Sequence, residues 1–284
     1  MEKQLKRIKF FDSLTVYLIA LIGSLVINMA LTPLVGVFAR IMSCALVTLG
    51  VLFATKRTNR TVKNLLPTSR ASVKNILGVS ATLSGVILLS VPCVLFFHII
   101  APNFALTGFK ILENLPGAAD FLWVGLLIIL HAAANTVLFE GYLWSGISIF
   151  DKKWQKYLFV GAAYGIMFGD LYVLLPLIIF EIGILYVRDS TKNVKLSFLM
   201  QLFACSGAYA LLQLSAKGSS FIGVGEGVYS ILGMAMIFIG ISMLLLWAAT
   251  SLLNKKSVLT PFGKLMTVML FIIFLAIGSG LASI

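Results

Sequence analysis

Apolar runs about 20 residues long, each sufficient to cross a bilayer as one helix, follow one another along nearly the whole chain and are separated by short segments where the charges collect. This patterning leaves an all-α architecture, a polytopic transmembrane helix bundle. Of the 284 residues, 60% are hydrophobic and 11% charged, so no stretch remains for a separate soluble domain of ordinary size. Spans are expected near residues 12–31, 35–54, 75–100, 119–148, 157–169, 171–187, 196–215, 227–252 and 265–283. One membrane domain, residues 1–284, with about eight or nine crossings follows from these lengths.

The net charge of +12 would suggest nucleic acid in a soluble protein, yet its distribution reads as topology and no nucleic-acid partner is expected. With the N-terminus in the cytoplasm, nineteen of the 22 Lys and Arg fall in inside segments (3–9, 56–74, 152–156, 188–195 and 255–264). Only Arg40, Lys110 and Lys217 lie near the outer face, as the positive-inside rule requires. The basic loop 55–74 reads as topogenic charge beside anionic headgroups. The first span follows a basic start without a clear small-residue cleavage site, so an uncleaved helix is expected. Cys44, Cys93 and Cys205 are odd in number, far apart and inside spans, which suggests neither a disulfide framework nor a zinc site.

Residues 157–187 strain this scheme, because 31 residues must cross twice where two full spans need roughly 40. A single merged helix would send residues 188–195 and 254–264 outside, against the charge rule. Two shortened elements around Gly169 and Asp170 are therefore expected. Short helices at membrane depth are tolerated where they are buried in protein or line a cavity, which points to a site in the middle of the chain.

The segment His131-Ala-Ala-Ala-Asn-Thr-Val-Leu-Phe-Glu-Gly-Tyr-Leu143 places His131, Asn135, Thr136 and Glu140 within a span. Polar groups at that depth are expensive and by default face a bundle interior. On an α-helix Thr136 and Glu140 share one face and His131 and Asn135 another. From His131 to Glu140 the helix turns through roughly 180° and rises ~13 Å, so the two cannot form an acid/base pair. Any partner of Glu140 must come from another span, and apart from Arg40 the spans offer it no cation. Asp170 is expected at a short outer turn and Glu181 on the span after it, so a carboxylate pair across helices is conceivable. His98 reads as an interface residue near a helix end. His131, hugged by three alanines, reads as a hydrogen-bonding residue in a tight helix contact. With no second histidine in the central helices, a metal site is not expected.

The stretch from Asn135 to Leu143, and its order with Tyr186-Val187-Arg188, resembles the CPBP intramembrane proteases, the group of CAAX-processing and bacteriocin-processing enzymes that includes the lysostaphin-resistance-protein-A-like proteins. The resemblance covers roughly residues 120–215, the core of the membrane domain. Members carry Glu-Glu-x-x-Phe-Arg-Gly, Phe-x-x-x-His and His-x-x-x-Asn or Asp on successive helices. The first Glu activates water, and the histidines and Asn stabilise the oxyanion. Here Phe139, Gly141 and Leu143 are kept. Asn135 and Thr136 stand for the paired glutamates, and Glu140 stands for the Arg. Phe168 replaces a histidine in Tyr164-Gly165-Ile166-Met167-Phe168, and Gln201 and Cys205 fall at the third motif. Neither Asn nor Thr is a base near neutral pH, and Phe offers no donor to an oxyanion.

The resemblance thus implies a pseudoenzyme of the bacterial cell membrane, without cofactor. It would act as a scaffold or regulator that binds another membrane or cell-envelope protein, with Glu140, Tyr164, Glu181 and His131 lining the vestigial groove. The alternative is a divergent CAAX-type endopeptidase using Glu140 or Glu181. A small-solute transporter stands third, with broken helices in its favour but no repeat along the sequence.

Overall fold

The computed structural model describes residues 8–58, 65–100, 118–147, 149–167, 174–216, 228–254 and 260–283. Among them the structure is helical, with one isolated bridge between Thr68 and Asn193. Helix α1 (Phe10–Val35) reverses into α2 (Val37–Arg57) through Gly36 alone. Its φ of 50° is in the left-handed region that a residue without Cβ enters cheaply. Helix α3 (Val73–Ile100) comes next. Helix α4 (Ala118–Asn135) runs straight into a π-helical segment, Thr136–Leu143, closed by a last turn, Trp144–Gly146. The remaining helices are α5 (Lys153–Met167), α6 (Leu174–Thr191), α7 (Val194–Ala216), α8 (Val228–Leu253) and α9 (Pro261–Ala282). Thr260 caps α9 by accepting from the Gly263 N–H at 3.1 Å, with Pro261 at the first position, where its missing N–H costs nothing.

Each expected span has a helical counterpart, yet six helices are long and apolar enough to cross a bilayer among the described residues: α1, α2, α3, the α4/π rod, α8 and α9. The expected count of about eight or nine crossings is a little higher than these six long helices and the shorter apolar stretch of α7. Helix α5 has 15 residues, about 22 Å, short of the ~30 Å hydrocarbon core. Helix α6 has 18 residues but carries Glu181, Arg188 and Asp189. The apolar part of α7 is the short stretch Val194–Ser206. Residues 157–187 do form two elements, and Gly169 and Asp170 between them lie outside the described residues.

Packing explains why the short pair is stable. At Gly161 and Gly165 on α5, an added Cβ would lie 3.1 Å from the carbonyl oxygens of Ile178 and Leu174 on α6, so the two backbones touch where glycine allows it. The α4/π rod is the axis of the bundle: α1, α2, α5 and α7 pack on it, and α6 bridges α5 to α3. One core gathers Leu138, Phe139, Tyr142 and Leu143 of the π segment with Tyr17, Val51 and Tyr164. A second joins Ile184, Val187 and Met200 with Val79 and Leu253. Helix α9 packs on α8, and its outer face shows Phe262, Leu265 and Ile272, the surface expected of a helix in lipid.

The basic segment after α2 is more than a carrier of charge. Its residues 65–69 are stitched to the α6–α7 corner: Val194 N–H donates to Pro67 O at 2.9 Å, Ser69 N–H to Lys192 O at 3.1 Å and Asn193 Nδ2 to Ser69 O at 2.8 Å. Leu65 is buried there. This strap lies across the end of the bundle where α2 finishes and α5 and α7 begin, which also holds Lys56, Arg57, Lys153 and Lys195 and is here called the basic end.

Candidate functional site

The π segment decides which polar residues of the rod cooperate. Its i→i+5 bonding brings residues about five apart over one another, so Asn135 and Glu140, which α-helical spacing assigns to different faces, both approach Tyr164 on α5. The expected face partner Thr136 approaches Glu140 as well. Gly141 admits the turn where a side chain would crowd Leu66, 3.1 Å from an added Cβ. Single-turn π insertions inside α-helices are frequent at functional sites.

Three elements then converge on the Glu140 carboxyl. From α7, Ser197 Oγ donates a hydrogen bond to Glu140 Oε2. One turn on, Gln201 stands between the two acids: its Nε2 donates to Glu181 Oε2 at 3.4 Å, and it also approaches Glu140. Glu181 on α6 faces Glu140 closely enough for the two carboxyls to repel. Seven residues further along α6, the buried Arg188 lies within electrostatic reach of Glu140. It donates from Nη2 to Leu65 O at 3.3 Å, and its guanidinium sits 5.5 Å from the Trp144 ring centroid.

The reading that Glu140 lacks a cation beyond Arg40 is thereby corrected. Arg188 was counted as topogenic charge at a span end, but its long stem carries the guanidinium back into the protein, leaving the residue 7% exposed.

Burial gives the cluster its character. Glu140, Glu181, Ser197 and Gln201 are 0% exposed, and Asn135, Thr136 and Tyr164 are buried with them. Ten buried side-chain polar atoms among the described residues have no hydrogen-bond partner within the protein, and six belong here: Asn135 Nδ2, Thr136 Oγ1, Glu140 Oε1, Glu181 Oε1, Arg188 Nε and Gln201 Oε1. Each such atom costs ~1–3 kcal/mol. That concentration exceeds what helix glue alone requires and marks the cluster as the chain's candidate site.

Aromatic rings close the site toward α1. Phe139 lies edge-on to Tyr17 and Tyr164, with centroids 6.1 and 5.1 Å apart, and Tyr17 Oη donates to Ala163 O at 2.7 Å.

The other candidates fall elsewhere. His131 Nδ1 is 3.9 Å from Cys44 Sγ, and Arg40 acts electrostatically on both, so His131 belongs to an α2–α4 contact rather than to the carboxyl cluster. Cys205 lies on α7, one turn beyond Gln201, partly buried and within electrostatic reach of Tyr164. Phe168 and Asp170 lie outside the described residues, as does the side chain of His98. No group of three His, Cys, Asp or Glu suited to a metal ion occurs among the described residues. A lone serine in an apolar helix carries no distinguishing sequence signal, so nothing in the sequence singles out Ser197.

No protein-family model matches the chain, and no curated protein or solved structure matches it either.

Proposed function

We propose that this chain is a catalytically degenerate, CPBP-like membrane protein that serves as a scaffold or regulator of another membrane or cell-envelope protein in a bacterial plasma membrane. The observation that supports this reading is the chemistry of the enclosed cluster. Its carboxyls are held by Ser197, Gln201 and Arg188, and His131 lies in the α2–α4 contact rather than among them. Asn135 and Thr136 stand where the family carries its paired glutamates, the first of which activates water. With the carboxyls enclosed, the cluster fixes α4, α6 and α7 relative to one another, and a partner docks on the outside of the helices it holds. Direct contact between a partner and Glu140 or Glu181 would need those helices to part.

The test is affinity purification of the tagged chain from its native membrane in mild detergent, with mass spectrometry of what co-purifies. A partner near equal amount, retained by Glu140→Gln, is the expected result. A chain that comes out alone from both preparations overturns the scaffold reading.

One observation favours a second reading, a divergent intramembrane endopeptidase. Glu140 and Glu181 each present an oxygen without a protein partner on or beside a π-helical turn. Peptides that accumulate uncleaved with both Glu140→Gln and Glu181→Gln would move that reading ahead.

A further inference from the structure

A cavity of about 540 Å³ lies between α1 and α2, away from the carboxyl cluster, with Tyr142 of the π segment as its floor. Its walls are Val16, Ile19 and Ala20 on one side and Leu46, Val47 and Val51 on the other. It is open at Gly50, where an added Cβ would meet nothing within 4 Å. At the basic end its lining turns polar, with Asp12 on α1 and Arg57 on α2. The Arg57 guanidinium is steadied over the Phe53 ring, 5.9 Å from its centroid.

The groove follows α2 from Leu46 to Thr58, about 18 Å at 1.5 Å per residue, a length along which an acyl chain can lie. Inside a bilayer such a chain gains little by leaving its neighbours, since lipid tails are as apolar as the groove walls. Selectivity therefore rests on the polar end, where an acid and a base at headgroup level are complementary to a headgroup carrying both an amine and a phosphate.

We infer that the α1–α2 groove is a binding site for one phospholipid with a primary-amine zwitterionic headgroup, of the phosphatidylethanolamine type. One acyl chain lies along Gly50 above Tyr142, the phosphate meets Arg57 and the amine donates to Asp12. This inference does not rest on the scaffold reading, because the groove and the cluster share no residue.

The experiment is native mass spectrometry of the delipidated full chain titrated with phosphatidylethanolamine or phosphatidylglycerol of identical chains. One bound phosphatidylethanolamine per chain is expected, preferred roughly two- to fivefold, the size of one exposed ion-pair contact. Asp12→Asn should bring the ratio to about one while keeping a lipid bound. Gly50→Leu fills open space and raises helix propensity, so it should lose the lipid while far-UV circular dichroism stays that of the parent. A parent without headgroup preference, a Gly50→Leu chain that keeps its lipid, or cross-linking of Gly50→Cys to a co-purified protein helix would each overturn the inference.

Discussion

The α4–α6–α7 centre and the α8–α9 pair lie in the same apolar medium and are held by opposite devices. In the centre, helices meet through a buried acid pair, a serine, a glutamine and an arginine, with six polar atoms left without protein partners. Among the described residues the α8–α9 pair shows no comparable network and relies on approach: an added Cβ at Gly233 would fall 2.5 Å from Gly278 O, and one at Gly278 would fall 2.7 Å from Gly233 O. Hydrophobic burial cannot drive association where the solvent is itself apolar, so both devices are substitutes for it. Small-residue contact holds helices at low cost and asks nothing further of the sequence. A charged network is costly to place at depth, and its retention in one region only is the physical reason to look for function there.

The comparison breaks most severely at Arg188. Replacing it with leucine leaves Glu140 and Glu181 facing each other with the cluster's one cation gone, a change expected to cost ~3–5 kcal/mol of unfolding free energy in detergent. The added change Glu140→Gln should recover a large part of that loss, since the double variant removes the charge left uncompensated. Equal instability of the single and double variants would show that Arg188 acts through its Trp144 stacking and Leu65 contacts instead. Ser197→Ala tests the same network more gently. It strips a donor from Glu140 Oε2 and should cost ~1.5–3 kcal/mol, without altering the α8–α9 contact.

At the other region, Gly278→Leu places a side chain against backbone atoms that cannot move aside. It should cost about 1–3 kcal/mol by overpacking and loosen α9 locally. The readout is proteolysis of α9, which should rise while Tyr17 and Tyr164 near-ultraviolet signals from the centre stay unchanged. A global loss of the centre's signals would refute the independence of the two regions. The two effects should add when Gly278→Leu is combined with Ser197→Ala, as distant sites without shared partners do.

Much of this architecture was legible because lipid imposes simple rules. Apolar length located every helix to within a few residues, and charge asymmetry divided residues 157–187 into two elements, now α5 and α6. The requirement that Glu140 find its partner on another helix followed from rotation per residue, and Ser197 on α7 meets it. What could not be read depends on local winding and side-chain reach. The π turn at Thr136–Leu143 redirects Asn135 toward Tyr164 and leaves no mark in residue types. Arg188 carries the same letter whether it points to headgroups or back to Glu140, and only the strap at Leu65 decides. The short α5 was visible as a deficit of residues, whereas its glycine contact with α6 needed the partner carbonyls in place.

The smallest effect belongs to the surface counterpart of the buried network. Asp189, at the basic end beyond the expected span, is hydrogen-bonded by Lys153 Nζ at 2.8 Å, by Lys192 Nζ and by Tyr157 Oη at 3.1 Å. Partial burial pushes its carboxyl up, but the two lysines outweigh that and hold it at about 2, below its ordinary 3.8. A depressed carboxyl stabilises the fold fully above its unfolded value and loses that contribution as pH falls from about 4 toward 2. Because the lysine side chains are 74% and 62% exposed, water and salt screen the attraction, and no more than ~1 kcal/mol is expected. Asp189→Asn should therefore flatten the stability profile across that window by this small amount, and 1 M salt should erase the difference between variant and parent. A parent profile as flat as the variant's would mean that the lysines contribute only geometry, leaving Glu140 and Arg188 as the charge pair whose removal the fold registers.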